Sequence, residues 1–269
     1  MDLLIAALLE HRSTWLLTAW LIGFFGLGVL EVLRPRRLDQ NEPDSRWLSH
    51  VSLVFINAGL IELTFGGAFM AASHPTGVLP IGVLAGDSLL ADIVLGVLAA
   101  DLLGYWVHRL HHTLSPLWRL HALHHSDDRL DVTTSFRNHP GEVVVGGAIV
   151  WAAHGLFGAS VAAVVVYGVL KAIASPMQHA NLHFPPRLER ALEWLFVTNA
   201  AHLIHHSVDL RDGNANFGTL FSIWDRLFGT WRAPAQGEDI RSGLDEVQPK
   251  TCDSLPAMLL LPVRSSERR

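Results

Sequence analysis

Ten of the sixteen histidines in this 269-residue chain fall into four groups whose spacing could bind metal ions. His108 and His112 form an i, i+4 pair, which a helix places on one face. The motif H-A-L-H-H begins at His121, and the same spacing returns in H-L-I-H-H, which begins at His202. Between these blocks, Q-H-A-N-L-H supplies another i, i+4 pair. The candidate ligands are therefore His108, His112, His121, His124, His125, His179, His183, His202, His205 and His206.

This number of imidazoles favours two metal ions over one. Iron and zinc both bind imidazole well, and one ion takes about four to six ligands. A single histidine on a helix is usually an ordinary core or interfacial residue, but four ordered groups are hard to explain in that way. Five other histidines lack a partner at ligand spacing or fall on another helix face, and we leave them out of the site: His11, His50, His74, His111 and His154.

The elements that carry these histidines are predicted to lie in a membrane. Half of the residues are hydrophobic, only 17% are charged, and the mean hydropathy is +0.30, which is too apolar for an ordinary soluble protein. Apolar stretches at 15–33, 47–72 and 88–107 are each about long enough to span a bilayer. The interrupted block 143–174 has halves of about fifteen residues, which favours a re-entrant hairpin or two short tilted helices.

The orientation follows from the positive-inside rule. Arg34, Arg36 and Arg37 directly follow the first span and place the first loop in the cytoplasm. The second span then leaves the cytoplasm and the third returns, so that every histidine group lies on the cytoplasmic side. We therefore predict an all-α, polytopic membrane helical bundle of about three to four spans plus a re-entrant hairpin, with a cytoplasmic histidine-rich helical cap.

We expect one domain that covers the whole chain, and no nucleic-acid partner. The net charge is −5, and the arginines are scattered near helix ends rather than gathered in a patch. The single cysteine, Cys252, excludes an internal disulfide and a cysteine-based zinc site. The end of the chain is polar and is expected to be partly disordered, although 255–263 could return to the membrane surface. The predicted parts are N-terminal spans at 15–107, core motifs at 101–231 and a polar tail at 233–269.

The ordered motifs resemble those of the fatty acid hydroxylase and sterol desaturase superfamily. The resemblance covers about 101–231 and rests on HRLHH, LWRLHALHHS, RNHPGE, QHANLH, and HLIHHS followed by NFG and WDRLFGTW. It implies a four-helix membrane bundle with a diiron centre that uses dioxygen and external electrons to hydroxylate or desaturate a lipid carbon. By resemblance, the ten candidate histidines are the metal ligands, and zinc can replace iron in purified protein. Phe217 stands where the family usually has tyrosine in NYG.

Neutral imidazoles leave the charge of the ions uncompensated, so acidic or polar groups are expected to orient the rings. The candidates for this supporting role are Asp101, Asp127, Asp128, His139, Glu142, Asp209, Asn216 and Asp225. Surface or helix-capping roles are the alternative, above all for Asp128 and Asp209, which closely follow the two H-H-S segments.

Two other classes of function were weighed. A metal-ion transporter would need ligands near the middle of the bilayer, whereas these histidines follow the spans. A zinc hydrolase is disfavoured because H-E-x-x-H is absent. The chain has neither a C-x-x-C nor a G-x-G-x-x-G motif, so we expect a separate electron donor: a ferredoxin, a cytochrome or a reductase. The resemblance suggests a bacterial inner-membrane enzyme. The residues do not distinguish a sterol, a hopanoid, a carotenoid, a fatty acyl chain or an ether lipid, nor hydroxylation from desaturation.

Overall fold

The chain folds as an all-α membrane bundle, as predicted. The computed structural model describes residues 10–38, 46–66, 88–157, 160–234, 240–245 and 252–264. Across these ranges the regular elements are helices, and the only strand-like pairings are isolated bridges such as that between Pro35 and Leu182.

Three helices are long and apolar enough to cross a membrane. We name them α1 (Arg12–Leu33), α2 (Arg46–Phe65) and α3 (Leu89–Thr113). They correspond to the three predicted spans, although the end of the second predicted span lies outside the described residues. Helix α3 continues past the predicted end of the third span to Thr113. The first histidine pair is therefore carried on the last turns of this helix.

The interrupted apolar block forms two consecutive helices, which we call the hairpin. Its helices are α5 (Pro140–Phe157) and α6 (Val161–His179), of 18 and 19 residues, and they are longer than the predicted halves. Helix α5 begins with a proline, which has no N–H to leave unpaired at that position. The side chain of Ser160 caps α6 by accepting a hydrogen bond from the N–H of Ala163 at 3.1 Å.

The hairpin packs between the three long helices. Helix α1 packs on α6, α2 packs on α5, and α3 packs on both arms of the hairpin. The contact between α1 and α6 is close at Gly23, which lies in a π-helical stretch, Ile22–Gly26. A Cβ atom at Gly23 would lie 2.7 Å from the carbonyl oxygen of Ala172. Glycine therefore permits this backbone approach.

The cap is formed by α4 (Ser115–His125), which directly follows α3, and by shorter helices after the hairpin. These are α7 (Pro186–Leu192), α8 (Asn199–His205), α9 (Leu210–Gly213) and α10 (Ile223–Leu227). Two buried arginines hold the segment that follows α4. Arg46 pairs with Asp127 at 2.7 Å, and Arg137 donates to the carbonyl oxygen of Leu123 at 3.0 Å.

Part of the predicted polar tail is an ordered helix, α11 (Leu255–Arg264). It packs against α4 and α2, where Met258 is fully buried with Leu53 and Leu123. The apolar stretch noted at 255–263 therefore forms a helix that packs on the bundle. The reason is that α2 and α4 expose apolar side chains on the same face, and the burial of these side chains stabilises the helix.

Candidate metal centre

Within the described residues, nine histidines converge into two adjacent groups. The possible ligand nitrogens of each group lie within 4.8 Å of one another. His108 is half-buried and the other eight are buried. Group A consists of His108, His112, His121, His125 and His205, and group B of His124, His179, His202 and His206.

The H-x-x-H-H spacing explains how two helices serve both groups. Successive residues of a helix point about 100° apart, whereas residues i and i+4 share a face. Helix α4 therefore gives its i, i+4 pair, His121 and His125, to group A and the single His124 to group B. The block at α8 does the reverse: the i, i+4 pair at 202 and 206 joins group B, and His205 joins group A.

The nitrogens of group B already have the spacing of ligands around one ion. The Nε2 atom of His179 lies 3.0 Å from Nε2 of His124 and 3.0 Å from Nε2 of His202. The Nε2 atoms of His202 and His206 are 3.2 Å apart. Nitrogens bound to a common ion at about 2.1 Å and at roughly right angles would be separated by about 3 Å.

Carbonyl groups fix the orientation of several rings. The Nδ1–H of His108 donates to the Phe217 oxygen at 2.9 Å, and that of His205 donates to the Ala215 oxygen at 2.8 Å. In group B, the Nδ1–H of His179 donates to the Ser175 oxygen at 2.7 Å. Such hydrogen bonds fix the tautomer of a metal-bound histidine and leave Nε2 to face the ion.

A carboxylate orients one ring of group A. Glu142, in the first turn of α5, lies 2.8 Å from Nδ1 of His121 through its Oε1 atom. This is the arrangement that supports metal-bound histidines in many proteins. Among the residues that the structure describes, the buried Nε2 atoms of His108 and His125 have no hydrogen-bond partner. Because an unpaired buried nitrogen is costly, the residues of this site fit a bound metal ion.

The rings are held neutral, as metal ligation requires. Burial, followed by the positive charge that neighbouring histidines would carry, lowers the pKa of His124, His125, His202 and His206 far below its ordinary value. Burial also lowers the pKa of His179 to about 4. Burial by itself would raise the pKa of Asp127, but Arg46, together with Arg137 and weaker neighbouring contributions, outweighs burial and holds this pKa below its ordinary range. Asp127 is therefore a permanent negative charge near group B.

Asp225 and Asp101 support the site indirectly, through the loop that follows α9. The carboxylate of Asp225 accepts hydrogen bonds from the N–H groups of Phe217 and Gly218, both at 2.7 Å. Asp101 accepts from the Thr219 hydroxyl at 2.7 Å and from Trp224 Nε1 at 2.8 Å. Both acids therefore position the loop whose carbonyl group orients His108.

Asn216 shapes the beginning of the same loop. It has a positive φ of 55°, which asparagine tolerates better than most residues. Its side-chain amide donates to the carbonyl oxygens of Ala201 and Arg232, both at 2.9 Å. Asn216 therefore links the loop to α8, which carries two of the histidines.

Four predicted site residues make their contacts away from both groups. Helix α6 ends at His179, so the predicted i, i+4 relation to His183 does not exist, and His183 is exposed. Asp209 accepts from the Arg211 N–H at 2.8 Å and caps α9. The carboxylate of Asp128 lies 3.3 Å from Nε of Arg129, and His139 accepts from the N–H of Gly141 at 3.0 Å. The structure thus corrects the placement of His183.

Comparison with known proteins identifies the family. A sequence model described as "Fatty acid hydroxylase" matches residues 93–230, which is more than half of the chain and includes all nine clustered histidines. The chain belongs to the fatty acid hydroxylase family. No solved structure matches it.

Named relatives of this fatty acid hydroxylase family member include three proteins whose names refer to lipids. It is 34% identical over 153 residues to ornithine lipid hydroxylase OlsE of Rhizobium tropici, covering 57% of this chain and 45% of the relative. It is 28% identical over 135 residues to alkylglycerol monooxygenase of Xenopus tropicalis, covering 50% and 29%. It is 27% identical over 140 residues to methylsterol monooxygenase 2-2 of Arabidopsis thaliana, covering 52% of each chain. The chain therefore spans about half or less of these three relatives.

A cavity of about 330 Å³ adjoins both histidine groups in this family member. It is bordered by α3, α5 and α6, and its wall combines polar side chains, six of them histidines, with three glycines and two valines. Two polar residues on its wall were missed from the sequence. His111 donates from Nδ1 to the Val107 oxygen at 2.8 Å, and its buried Nε2 has no hydrogen-bond partner in the described part of the chain. Lys171 could have been singled out, since a charge in an apolar block of a membrane protein often has a function.

Proposed function

We propose that this chain is a membrane diiron oxidoreductase that uses dioxygen and external electrons to hydroxylate or desaturate a C–H bond of a lipid. The observation that carries the proposal is the pair of adjacent groups of buried, neutral imidazoles. Two groups with five and four nitrogens suit two ions, and imidazole is a suitable ligand for iron. Zinc would bind the same nitrogens and can replace iron in purified protein.

The cavity supports a lipid substrate. It lies beside α3, α5 and α6 and adjoins both histidine groups, and we propose that an apolar molecule enters it from the bilayer. The three relatives are named for an ornithine lipid, an alkylglycerol and a methylsterol, which are all lipids. We infer that a lipid is also the substrate of this chain.

The residues of this protein would hold the metal ions, orient the ligand rings and enclose the substrate. Group A and group B would each hold one iron ion, and bound iron supplies the chemistry of dioxygen reduction and C–H oxidation. Glu142 keeps the His121 ring in its productive tautomer, and the Phe217 carbonyl does the same for His108. The helices around the cavity keep bulk water from the reacting carbon. Hydroxylation consumes one dioxygen, two electrons and two protons, and it releases one water.

The electrons must come from outside the described fold. We propose that a separate ferredoxin, cytochrome or reductase supplies them from the aqueous side. The three candidate spans support an integral membrane protein. The arginines that follow α1 favour a cytoplasmic metal site, and we propose the bacterial inner membrane as its location.

The test is oxidation of lipid under isotopically labelled dioxygen. Iron-loaded protein in lipid nanodiscs is supplied with a chemical reductant and a bacterial lipid extract, and the products are analysed by mass spectrometry. A hydroxylase adds one labelled oxygen atom to the lipid, whereas a desaturase removes two hydrogens and adds no label. Both products must disappear when His205 and His206 are replaced by alanine. Iron-loaded protein that oxidises no lipid, or metal uptake into proteoliposomes, would overturn the proposal.

A further inference from the structure

Lys171 is a charged residue in an otherwise apolar stretch of the sequence, and the metal centre does not explain it. It is the only Asp, Glu, Lys or Arg between residues 143 and 178, which form most of the membrane hairpin. It lies on α6 two turns before His179, and it lines the cavity beside both histidine groups.

Few groups of the protein offset the positive charge of the Lys171 ammonium. Its Nζ atom donates one hydrogen bond, to the carbonyl oxygen of Thr219 at 3.2 Å. Among the residues that the structure describes, no ion pair includes Lys171. The carboxylate of Asp101 interacts with it only through space, because its oxygens accept from Thr219, Phe221 and Trp224.

An ammonium removed from bulk water without a contacting anion is costly, and a ligand that brings a negative charge would offset that cost. The cavity provides the space for such a group directly beside Lys171. We propose that Lys171 binds a carboxylate or phosphate group of the lipid substrate, and so selects anionic lipids and positions them against the histidine groups. This inference rests on the proposed function, because it names the substrate class of the same site.

Helix geometry gives the distance between Lys171 and the histidine groups along α6. At a rise of about 1.5 Å per residue, Lys171 and His179 are separated by about 12 Å along the α6 axis. A lipid held by its anionic group at Lys171 would therefore present a carbon near that group to the metal centre. The far end of a long acyl chain would lie beyond the site.

A purely structural role makes a different prediction. Gln178 also donates to the carbonyl oxygen of Thr219, at 2.9 Å, so Lys171 could simply help to hold the loop that orients His108. In that case, replacement of Lys171 would lower the iron content of the protein. In our proposal, replacement changes lipid preference and leaves the iron content unchanged.

The experiment measures binding of three probes with the same chain length to iron-loaded full-length protein in a neutral detergent. The probes are hexadecanoate, hexadecyl phosphate and hexadecan-1-ol, and the variants are K171M, K171R and R241M. R241M removes a positive charge from an exposed position and serves as the control. Iron content is measured on every sample.

We expect the parent protein to bind at least one anionic probe about tenfold more tightly than the alcohol, since a charge-assisted hydrogen bond is stronger than a neutral one. K171M should abolish this preference at full iron content, K171R should retain part of it, and R241M all of it. Preference for one anion identifies that group as the one recognised. Equal binding of all three probes by the parent, preference that persists in K171M, or loss of iron in K171M and K171R would overturn the inference.

The failure of this inference and that of the proposed function are distinguishable. Lipid oxidation without any preference for anionic probes would refute the role of Lys171 alone. A preference that depends on Lys171, in iron-loaded protein that oxidises no lipid, would refute the proposed function and leave the binding site in place.

Discussion

Replacement of Glu142 should weaken metal binding by group A, because the His121 ring would lose the carboxylate that orients it. Its Oε1 atom lies 2.8 Å from Nδ1 of His121, and its side chain is mostly buried. Loss of a hydrogen-bonding partner of this kind typically costs 10- to 100-fold in metal affinity, or about 1.4–2.7 kcal/mol. Glu142→Gln keeps an acceptor oxygen but loses the charge, and charge-assisted hydrogen bonds are roughly twice as strong as neutral ones. We therefore expect about a tenfold loss for Glu142→Gln, and a larger loss for Glu142→Ala.

The assay is competition for iron between the protein and a chelator of known affinity, read as iron retained per chain. Asp209→Asn is the matched control, because Asp209 caps α9 away from both groups and asparagine is an equally good capping residue. This control should bind iron as the parent does. Parent-like affinity in both Glu142 variants, or an equal loss in Asp209→Asn, would refute the assigned role of Glu142.

Three further predictions concern the cavity, the buried ion pair and the effect of pH. Gly146→Leu should block lipid oxidation at unchanged iron content, because position 146 faces open space on the cavity wall and the leucine side chain would fill that space. Gly59→Leu is the control: it also lies at an open position, but on α2, and it should leave product formation unchanged. Asp127→Ala should destabilise the protein by about 3 kcal/mol in denaturant unfolding, because Arg46 remains buried with only part of its pairing; a change below about 1 kcal/mol would contradict this. Metal-free protein should lose thermal stability as the pH falls from about 6.5 towards 4, because burial lowers the pKa of His179 to about 4 and the unfolded chain binds more protons in that window. Bound iron should reduce this loss. Thermal denaturation at several pH values measures the effect, and metal-free protein whose stability did not change over this pH range would contradict the prediction.

The sequence predicted the fold well where apolar length or helical periodicity determines it. Apolar length predicted the three spans, and the interruption in the fourth apolar block predicted that this block forms two helices rather than one. The i, i+4 rule predicted correctly that His108 lies near His112, because both lie within one continuous helix. The same rule was wrong for His183, because α6 ends at His179 and helical periodicity ends with it.

The rest depended on contacts between residues far apart in the chain. Sequence spacing cannot show that Asp225 holds the Phe217 N–H while Asp209 only caps a short helix, since both are acids that follow a histidine block. The division of each H-x-x-H-H block between two groups was also not predicted, although helical geometry explains it once the helices are placed. Burial of Met258 required the apolar faces of α2 and α4 to meet, which local sequence does not specify.

The most direct test of the central claim is the iron content of purified, iron-loaded protein and of variants that each remove one ligand from one group. His205→Ala removes a ligand of group A, and His206→Ala removes a ligand of group B. The parent should hold close to two irons per chain, each single variant should fall towards one, and the double variant should hold almost none. Zinc alone in the parent, or iron retained at the parent level by the double variant, would contradict the diiron assignment.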